Sequence, residues 1–375
     1  MGVWFSGSGK ASCREWRFGG KLWKGTAAFI SYSHFDNVLP QPATQVYLAC
    51  GHEGFCVTLE QLKAGKFSFK LRAVEDLLLP AYKGATLRGG FGTALKNVVC
   101  ALRRQECKTC LLRAQCIYVY LFETPPGADS EMMRLYPAAP HPFVIEPPES
   151  DARRIPAGEA IEFGLVLIGR AMDYLAHFTY AFIQLGESGL GRGRGKFELE
   201  EVCAAAGNRS VPIYRGGEQI LRQFPTVHLG DAIAARERDL RDVNRLTCKF
   251  VTPTRIKFAE KLVEKPHFHH LIRSLVRRVS SLCYFHGGEK LSMDFRGLIE
   301  RAERVVRRDY RLRWIDWERY STRQKQHMTL GGFTGEVIFQ GDFNEFLPLL
   351  TAGELFHLGK GATFGLGKLA ISPAP

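Results

Sequence analysis

The chain has 375 residues, of which 45% are hydrophobic, and its formal net charge is +13. This apolar content excludes a disordered chain, and no apolar segment is long enough to span a membrane without charged interruptions. The sequence does not open with a signal-peptide pattern, so we expect a cytoplasmic protein of two domains that has no membrane partner. Residues 190–330 hold 29 Lys or Arg against 17 Asp or Glu, an asymmetry expected of a nucleic-acid binder.

Residues 1–56 mix glycine, serine, aromatic residues and cysteine without a clear period, and we interpret them as an irregular N-terminal extension. From Lys66 the alternating pattern predicts a strand. A glycine-rich stretch, 83–92, then predicts a loop leading into an amphipathic helix over 94–104. Lys83 and Arg88 precede that helix and are candidate phosphate ligands, although a tight strand-to-helix turn is an alternative that is compatible with this role.

Four cysteines follow within seventeen residues: Cys100, Cys107, Cys110 and Cys116. In a chain without a secretion signal this spacing indicates metal rather than disulfides, and four thiolates most simply form a tetrahedral structural zinc site. An iron–sulfur cluster uses the same ligands, and four unligated cysteines are the third interpretation. Because four thiolates leave no open coordination position, no catalytic metal is predicted.

The segment 125–156 predicts a long loop, and a strand (162–168) and a helix (172–185) follow it. A third glycine cluster then carries Arg192, Arg194 and Lys196 ahead of another strand, 197–202. These basic side chains next to glycines are candidate RNA ligands.

The C-terminal stretch 353–368 repeats this arrangement of helix, basic glycine-rich loop and strand, which indicates a weak internal duplication. Glycine allows positive φ and close approach to a ligand, and free N–H groups in such a loop suit an anion. We therefore expect a phosphodiester to bind here, while a glycine-rich hairpin that closes a sheet is the alternative. The candidate ligands are Gly359, Gly361, Gly365, Gly367, Lys360 and Lys368.

The second half predicts a strand (246–258), two helices (267–283 and 294–309), two strands (312–325 and 330–339), and then the C-terminal helix, loop and strand. This order is ferredoxin-like with one extra helix. Five arginines at helical spacing alternatively form only a solvated basic helix face, namely Arg301, Arg304, Arg307, Arg308 and Arg311. We predict an α+β protein with an extension (1–56), a first ferredoxin-like domain with a four-cysteine insertion (57–205), a linker (206–243) and a second ferredoxin-like domain (244–375).

Together these motifs resemble the CRISPR-associated RAMP endoribonucleases that cut precursor CRISPR RNA within each repeat, the sixth family of Cas proteins. The stretches that carry the resemblance are 79–92, 189–196, 314–324 and 359–367. The resemblance implies two tandem RRM-like RAMP domains whose basic face and glycine loops hold CRISPR repeat RNA. It also implies metal-independent cleavage that leaves a 2′,3′-cyclic phosphate and a 5′-hydroxyl.

Such cleavage needs a base for the 2′-hydroxyl, a cation for the developing charge and an acid for the leaving oxygen. Many family members place a histidine on or near the first helix of the first domain, but residues 83–104 contain none. The candidates are therefore His357 as base, Lys360 and Arg323 as cations, and Tyr320 as proton donor, with Arg319 as a further RNA ligand. Alternatively, His357 only caps a helix, and Tyr320 stacks on a base or packs in the core.

Three functions fit the sequence. The first is a repeat-specific endoribonuclease that matures crRNA for antiviral defence, and the second is a non-catalytic RAMP subunit that holds crRNA beside other Cas proteins in an effector complex. The third is an unrelated zinc-bearing nucleic-acid binder, which would not select repeat RNA. Cleavage in metal-free buffer separates the first function from the second.

Overall fold

The computed structural model describes residues 59–375 except 104, 128–129, 134–135, 208 and 322–325, and within 317–330 it describes the backbone only. The described residues belong to one compact unit, Cys50–Pro375. The predicted extension, 1–56, lies outside them. In the described part, every helix is too short or too polar to cross a membrane.

The first half builds one antiparallel sheet with two long helices. Its elements are β1 (Lys63–Ala73), β2 (Leu77–Leu78), α1 (Gly84–Val99), β3 (Phe143–Glu146), β4 (Arg154–Ile155), β5 (Ala160–Ile168), α2 (Leu175–Ser188), β6 (Phe197–Ala206) and β7 (Arg209–Arg215). Short 3₁₀ or π turns cover Arg113–Gln115, Val119–Glu123 and Gly169–Tyr174. The strand order β3-β5-β1-β6-β7 contains the ferredoxin-like order, with β7 added at one edge.

The second half repeats this plan. It follows β8 (Val227–His228), a two-residue strand that pairs with β1 in the first sheet. Its elements are α3 (Leu229–Leu240), β9 (Arg245–Thr254), β10 (Lys257–Phe258), β11 (Lys261–Leu262), α4 (Phe268–Leu282), α5 (Phe295–Glu303), β12 (Val306–Ser321), β13 (Gln326–Gln340), α6 (Leu347–Phe356) and β14 (Leu369–Pro373). Short 3₁₀ or π turns cover Cys283–Gly287, Asn344–Phe346 and Ala362–Phe364. The order β12-β13-β9-β14 is again ferredoxin-like, which confirms the predicted α+β fold with two such sheets.

Strand β1 shows how the sequence pattern builds the first core. Phe67, Phe69 and Leu71 are buried against the helices, while Lys66 and Ser68 point to the opposite face of the sheet, as the two-residue period requires. The end of that opposite face is apolar, since Ala64, Val144, Val166 and Ile168 join the core of the second half. The two halves therefore share a hydrophobic seam.

Three predicted segments have a different structure. The predicted glycine loop 83–92 is the first part of α1, so Gly84, Gly89, Gly90 and Gly92 are helical. Glycine costs helix stability, but at Gly84 it allows a close approach that a side chain would block: an added Cβ would lie 1.9 Å from the Phe364 carbonyl oxygen.

The second predicted helix of the second half ends at Glu303, and β12 begins at Val306. Arg307, Arg308 and Arg311 consequently lie in a strand, so the basic helix face is wrong for these three, and the predicted helix 294–309 extended too far. The apparent helical spacing arose from a run dense in arginine, which carries no apolar periodicity of its own.

The predicted long loop 125–156 contains β3, an edge strand whose four residues are all buried. The prolines on both sides of this short strand hid it from a sequence pattern that relies on length. The segment predicted as a linker, 206–243, holds β7, β8 and α3.

Candidate nucleic-acid interface

A cleft of about 1940 Å³ separates the first half from the sheet of the second half. The first half lines it with α1, the segment that follows β3 and the loop after α2, and the second half with β9, β12 and the C-terminal loop. The basic lining residues are Arg88, Lys96, Arg153, Arg192, Arg194, Arg313 and Lys368, and the acidic ones are Glu123, Glu146, Glu149, Asp151 and Asp316. A cleft lined by cations from both halves concentrates a positive field where a polyanion would lie.

The start of α1 is anchored by hydrogen bonds. The Tyr82 hydroxyl donates to the Phe364 carbonyl at 2.8 Å, which ties the two halves together. Lys83 is fully buried, and its ammonium donates to the carbonyls of Ser150 (2.6 Å) and Ala81 (3.2 Å). Burial lowers the pKa of Lys83, with Asp151 acting in the opposite direction. Lys83 therefore positions the segment after β3 instead of facing the cleft, contrary to its predicted role as a phosphate ligand.

Arg88 lies one turn further along α1 and does line the cleft. Its guanidinium lies 4.7 Å from the centre of the Phe122 ring and 4.8 Å from that of Phe364. Because Phe122 belongs to the first half and Phe364 to the second, Arg88 holds a planar cation at the seam by cation–π contacts with both.

The glycine loop after α2 is a tight turn that exposes its basic side chains. An added Cβ at Gly191 would lie 2.3 Å from the Leu78 carbonyl oxygen, so glycine permits close backbone packing there. Arg192 and Arg194 are exposed and line the cleft, and Arg194 also donates to the Ser188 carbonyl at the end of α2. Lys196 is exposed but lies outside the cleft lining.

The C-terminal glycine loop packs against the protein, and five of its amides are used in hydrogen bonds within the chain, so these five do not belong to a nest of free N–H groups. The amides of Lys360, Phe364, Gly365, Gly367 and Lys368 donate to the carbonyls of Arg255, Gly361, Ala362 and Pro253 and to the Thr252 hydroxyl. Its glycines allow close approach, since added Cβ atoms would lie 2.4 Å from the Arg255 oxygen at Gly359 and 1.8 Å from the Leu358 oxygen at Gly367. Of the two lysines, Lys360 is exposed outside the cleft lining, and Lys368 lines the cleft.

His357 ends α6 and is fully buried. Its Nδ1 lies 3.1 Å from the Leu366 carbonyl oxygen, and its Nε2 lies 2.9 Å from Oε1 of Glu146 on β3. In this arrangement neither ring nitrogen faces the cleft, and the imidazole links the two halves. Its predicted role as general base stays a prediction, and it requires a conformation in which the ring is released.

Glu146 is the centre of a buried charge cluster that the sequence did not suggest. Besides His357, the ammonium groups of Lys66 (3.3 Å) and Lys368 (3.7 Å) lie beside its carboxylate. Burial is the largest single influence and raises the pKa of Glu146. The hydrogen bond and charge of His357 and the charges of the two lysines together outweigh it and hold the pKa at about 2. The clue in the sequence was the apolar run that precedes Glu146, Phe143 to Ile145.

The predicted contacts of Tyr320, Arg319 and Arg323 lie outside the described side chains; the backbones of Arg319 and Tyr320 belong to β12. The four cysteines are free and partly buried. Over the part of the chain that the structure describes, no three His, Cys, Asp or Glu side chains are arranged to hold a metal ion. The structure gives no support to the predicted zinc site, which stays a prediction.

Two family models match the chain. Residues 248–369 match the model of the CRISPR-associated endoribonuclease Cas6. The second half of the chain therefore carries a domain that matches the Cas6 family. Residues 62–226 match a second model, described as an N-terminal domain. The Cas6 match agrees with the resemblance that the sequence motifs gave, and it covers residues 248–369.

A curated relative and solved structures match most of the chain. An uncharacterized protein of Archaeoglobus fulgidus is 26% identical over 299 residues, which cover 78% of this chain and 92% of the relative. A product complex of Thermus thermophilus Cas6 has a TM-score of 0.51 at 16% identity and covers 83% of this chain and 99% of that one.

A partial Cas6-RT-Cas1–Cas2 complex has a TM-score of 0.53 at 13% identity, covering 84% of this chain. The match spans only 46% of that longer chain. At these identities the structural likeness establishes the shared fold.

Proposed function

We propose that this protein cleaves CRISPR repeat RNA by attack of a 2′-hydroxyl on the adjacent phosphodiester, leaving a 2′,3′-cyclic phosphate and a 5′-hydroxyl. The product is mature crRNA for antiviral defence, and other Cas proteins are the expected partners. The observation that carries the proposal is the basic cleft between the two ferredoxin-like halves, in a chain that carries a Cas6 domain. Its size and its cations on both walls suit an RNA backbone.

The positive charges of the cleft suit a reaction in which negative charge develops on a phosphate. Attack of the 2′-hydroxyl places additional negative charge on the phosphate oxygens, and fixed cations at that position lower the barrier. Arg88 is the best-held cation of the cleft, because two aromatic rings restrain its plane. Arg192 and Arg194 would hold neighbouring phosphates. Lys360 as a further cation and Tyr320 as the proton donor belong to the same proposal.

The experiment is to incubate the purified protein in EDTA with the repeat RNA encoded beside its gene. A parallel set of RNAs carries a 2′-deoxy substitution at each candidate cut site in turn. We expect one discrete cut, which a single 2′-deoxy substitution abolishes because it removes the nucleophile. Cleavage that needs added divalent metal, or that persists in every 2′-deoxy RNA, contradicts the proposed chemistry.

A non-catalytic RNA-holding subunit is the second candidate. Among the described side chains, no histidine lines the cleft, and α1 contains none. Without an imidazole near the RNA, general-base catalysis would depend on another group. Tight, repeat-selective binding without any cleavage in the same assay would favour this second function.

A further inference from the structure

A second pocket of about 330 Å³ opens on the face of the first sheet opposite α1 and α2. Its floor consists of small side chains on neighbouring strands, since Ser68 of β1 pairs with Gly164 of β5 and Cys203 of β6. The prolines that follow Glu146 form one wall. Glu146, Pro147, Pro148, Glu149 and Lys368 line both this pocket and the RNA cleft. A nucleic-acid strand that leaves the cleft can therefore enter the pocket across this short segment.

The pocket and the cleft meet at two lysines that share one carboxylate. Lys66 comes from β1 and Lys368 from the C-terminal loop, so each half contributes one ammonium group to Glu146. Their side chains remain 46% and 28% exposed. An ammonium has three N–H donors, and within the described part of the chain Glu146 is the one acid within ion-pair distance of either lysine.

The charge at this point is not balanced locally. Two ammonium groups share the single negative charge of Glu146, to which His357 also donates a hydrogen bond. The rest of the pocket lining has mixed charge, because Glu149, Glu162 and Arg209 also belong to it. At the lysine pair two ammonium groups lie beside one carboxylate, so an anion is favoured there.

We propose that Lys66 and Lys368 bind a phosphate of a single-stranded segment of the RNA as it leaves the cleft over Pro147 and Pro148. The pocket volume is at the lower end of the range for small-ligand sites, which suits one unpaired nucleotide and excludes a duplex. Gly164 keeps the floor open, since an added Cβ there would lie 2.7 Å from Oε2 of Glu146. This proposal rests on the proposed function and specifies where the RNA runs beyond the cleft.

The test uses the full-length protein and repeat RNA made uncleavable by 2′-deoxy substitution. The RNA is tested at full length and in versions shortened stepwise from each end. Lys66→Gln and Lys368→Gln are each expected to weaken binding of the full-length RNA about tenfold, the loss typical of one charge-assisted contact. Each should also lower the slope of log affinity against log salt by about 0.7, the value for one phosphate of a single strand. RNA that lacks the relevant terminal nucleotides should bind both variants and the wild type equally.

Lys70→Gln is the matched control, because Lys70 lies on the same face of β1 but pairs with Glu200 outside the pocket. A second measurement needs no variant: bound RNA should protect Lys66 and Lys368, but not Lys70, from acetylation detected by mass spectrometry. If the wild type binds repeat RNA while both variants match Lys70→Gln and neither lysine is protected, the lysine site is refuted and the proposed function stands. If the wild type does not bind repeat RNA at all, the proposed function itself fails.

Discussion

At the scale of single residues, Glu146 shows how burial and charge combine to link the two halves. A carboxylate in this position is stabilised only while its cationic partners surround it. Its ordinary pKa is 4.5 and its pKa in the folded protein is about 2, so the unfolded chain takes up this proton first as the pH falls. The contribution of ionised Glu146 to the stability of the folded protein is therefore complete above pH 4.5 and is lost as the pH falls towards 2.

Glu146→Gln should lower the free energy of unfolding by about 3 kcal/mol at pH 7, since removing one member of a buried charge cluster leaves the others uncompensated. The difference from the wild type should shrink between pH 4.5 and 2. Urea unfolding across this range measures both effects. Glu149→Gln, an exposed neighbour, is the control. Equal stability of the Glu146 variant and the wild type at pH 7 would show that the cluster contributes nothing.

Substitutions at two glycines of α1 should change the stability of the protein in opposite directions. Gly84→Ala should destabilise the protein by about 2–3 kcal/mol, because the new Cβ would collide with the Phe364 carbonyl oxygen. Gly89→Ala, in the same helix with no atom within 4 Å of an added Cβ, should stabilise it by about 0.5–1 kcal/mol. Thermal unfolding distinguishes the two. If both variants were stabilised, the close contact between α1 and the second half would be wrong.

At the scale of elements, the glycine-rich loops differ in what they present. The C-terminal loop uses its amides within the protein, while the loop after α2 directs Arg192 and Arg194 into the cleft. The loop after α2 is therefore the better candidate for an RNA contact, and we expect its contribution to be electrostatic.

Replacing Arg192 and Arg194 together by Gln should weaken repeat-RNA binding and lower its salt slope by about 0.7–0.9 for each phosphate that is no longer neutralised. Unrelated RNA should bind more weakly by a similar factor, because interactions with phosphates carry no sequence information. Arg296→Gln on α5 is the control, since its side chain is 91% exposed and lies outside the cleft. Affinity that is insensitive to salt in the wild type would contradict an electrostatic interface.

The four-cysteine segment stays a prediction at the same scale. If the sequence pattern is correct, purified protein carries about one zinc or iron–sulfur centre per chain, and Cys107→Ser with Cys110→Ser removes it and lowers the stability. Metal analysis by mass spectrometry and the visible absorption spectrum decide between the two metals. Metal-free protein that is fully folded and binds RNA normally would eliminate the site.

For the whole molecule, the seam is the feature with the widest consequences. Apolar contacts, the Glu146–His357 pair and the Tyr82–Phe364 hydrogen bond all join the two ferredoxin-like halves. RNA that lies in the cleft would contact both halves at once, so its binding energy should stabilise them together.

Repeat RNA at a free concentration one hundred times its Kd should raise the free energy of unfolding by about 2.7 kcal/mol. Hydrogen exchange should show added protection of β1 in the first half and β9 in the second at the same RNA concentration. DNA of the same sequence, tested at equal concentration, is the control for non-specific charge. Protection confined to one half would place the RNA away from the cleft.

The sequence by itself determined the two ferredoxin-like sheets, the resemblance to Cas6 and the net positive charge of the second half. Local periodicity is sufficient for long amphipathic elements such as β1 and α4, and composition is sufficient for net charge. Tertiary structure alone decided that the glycines of α1 are helical, that Lys83 and His357 are buried, and that Glu146 gathers cations from both halves. These features depend on contacts between residues far apart in the chain, such as Glu146 with His357, and no local pattern encodes such contacts.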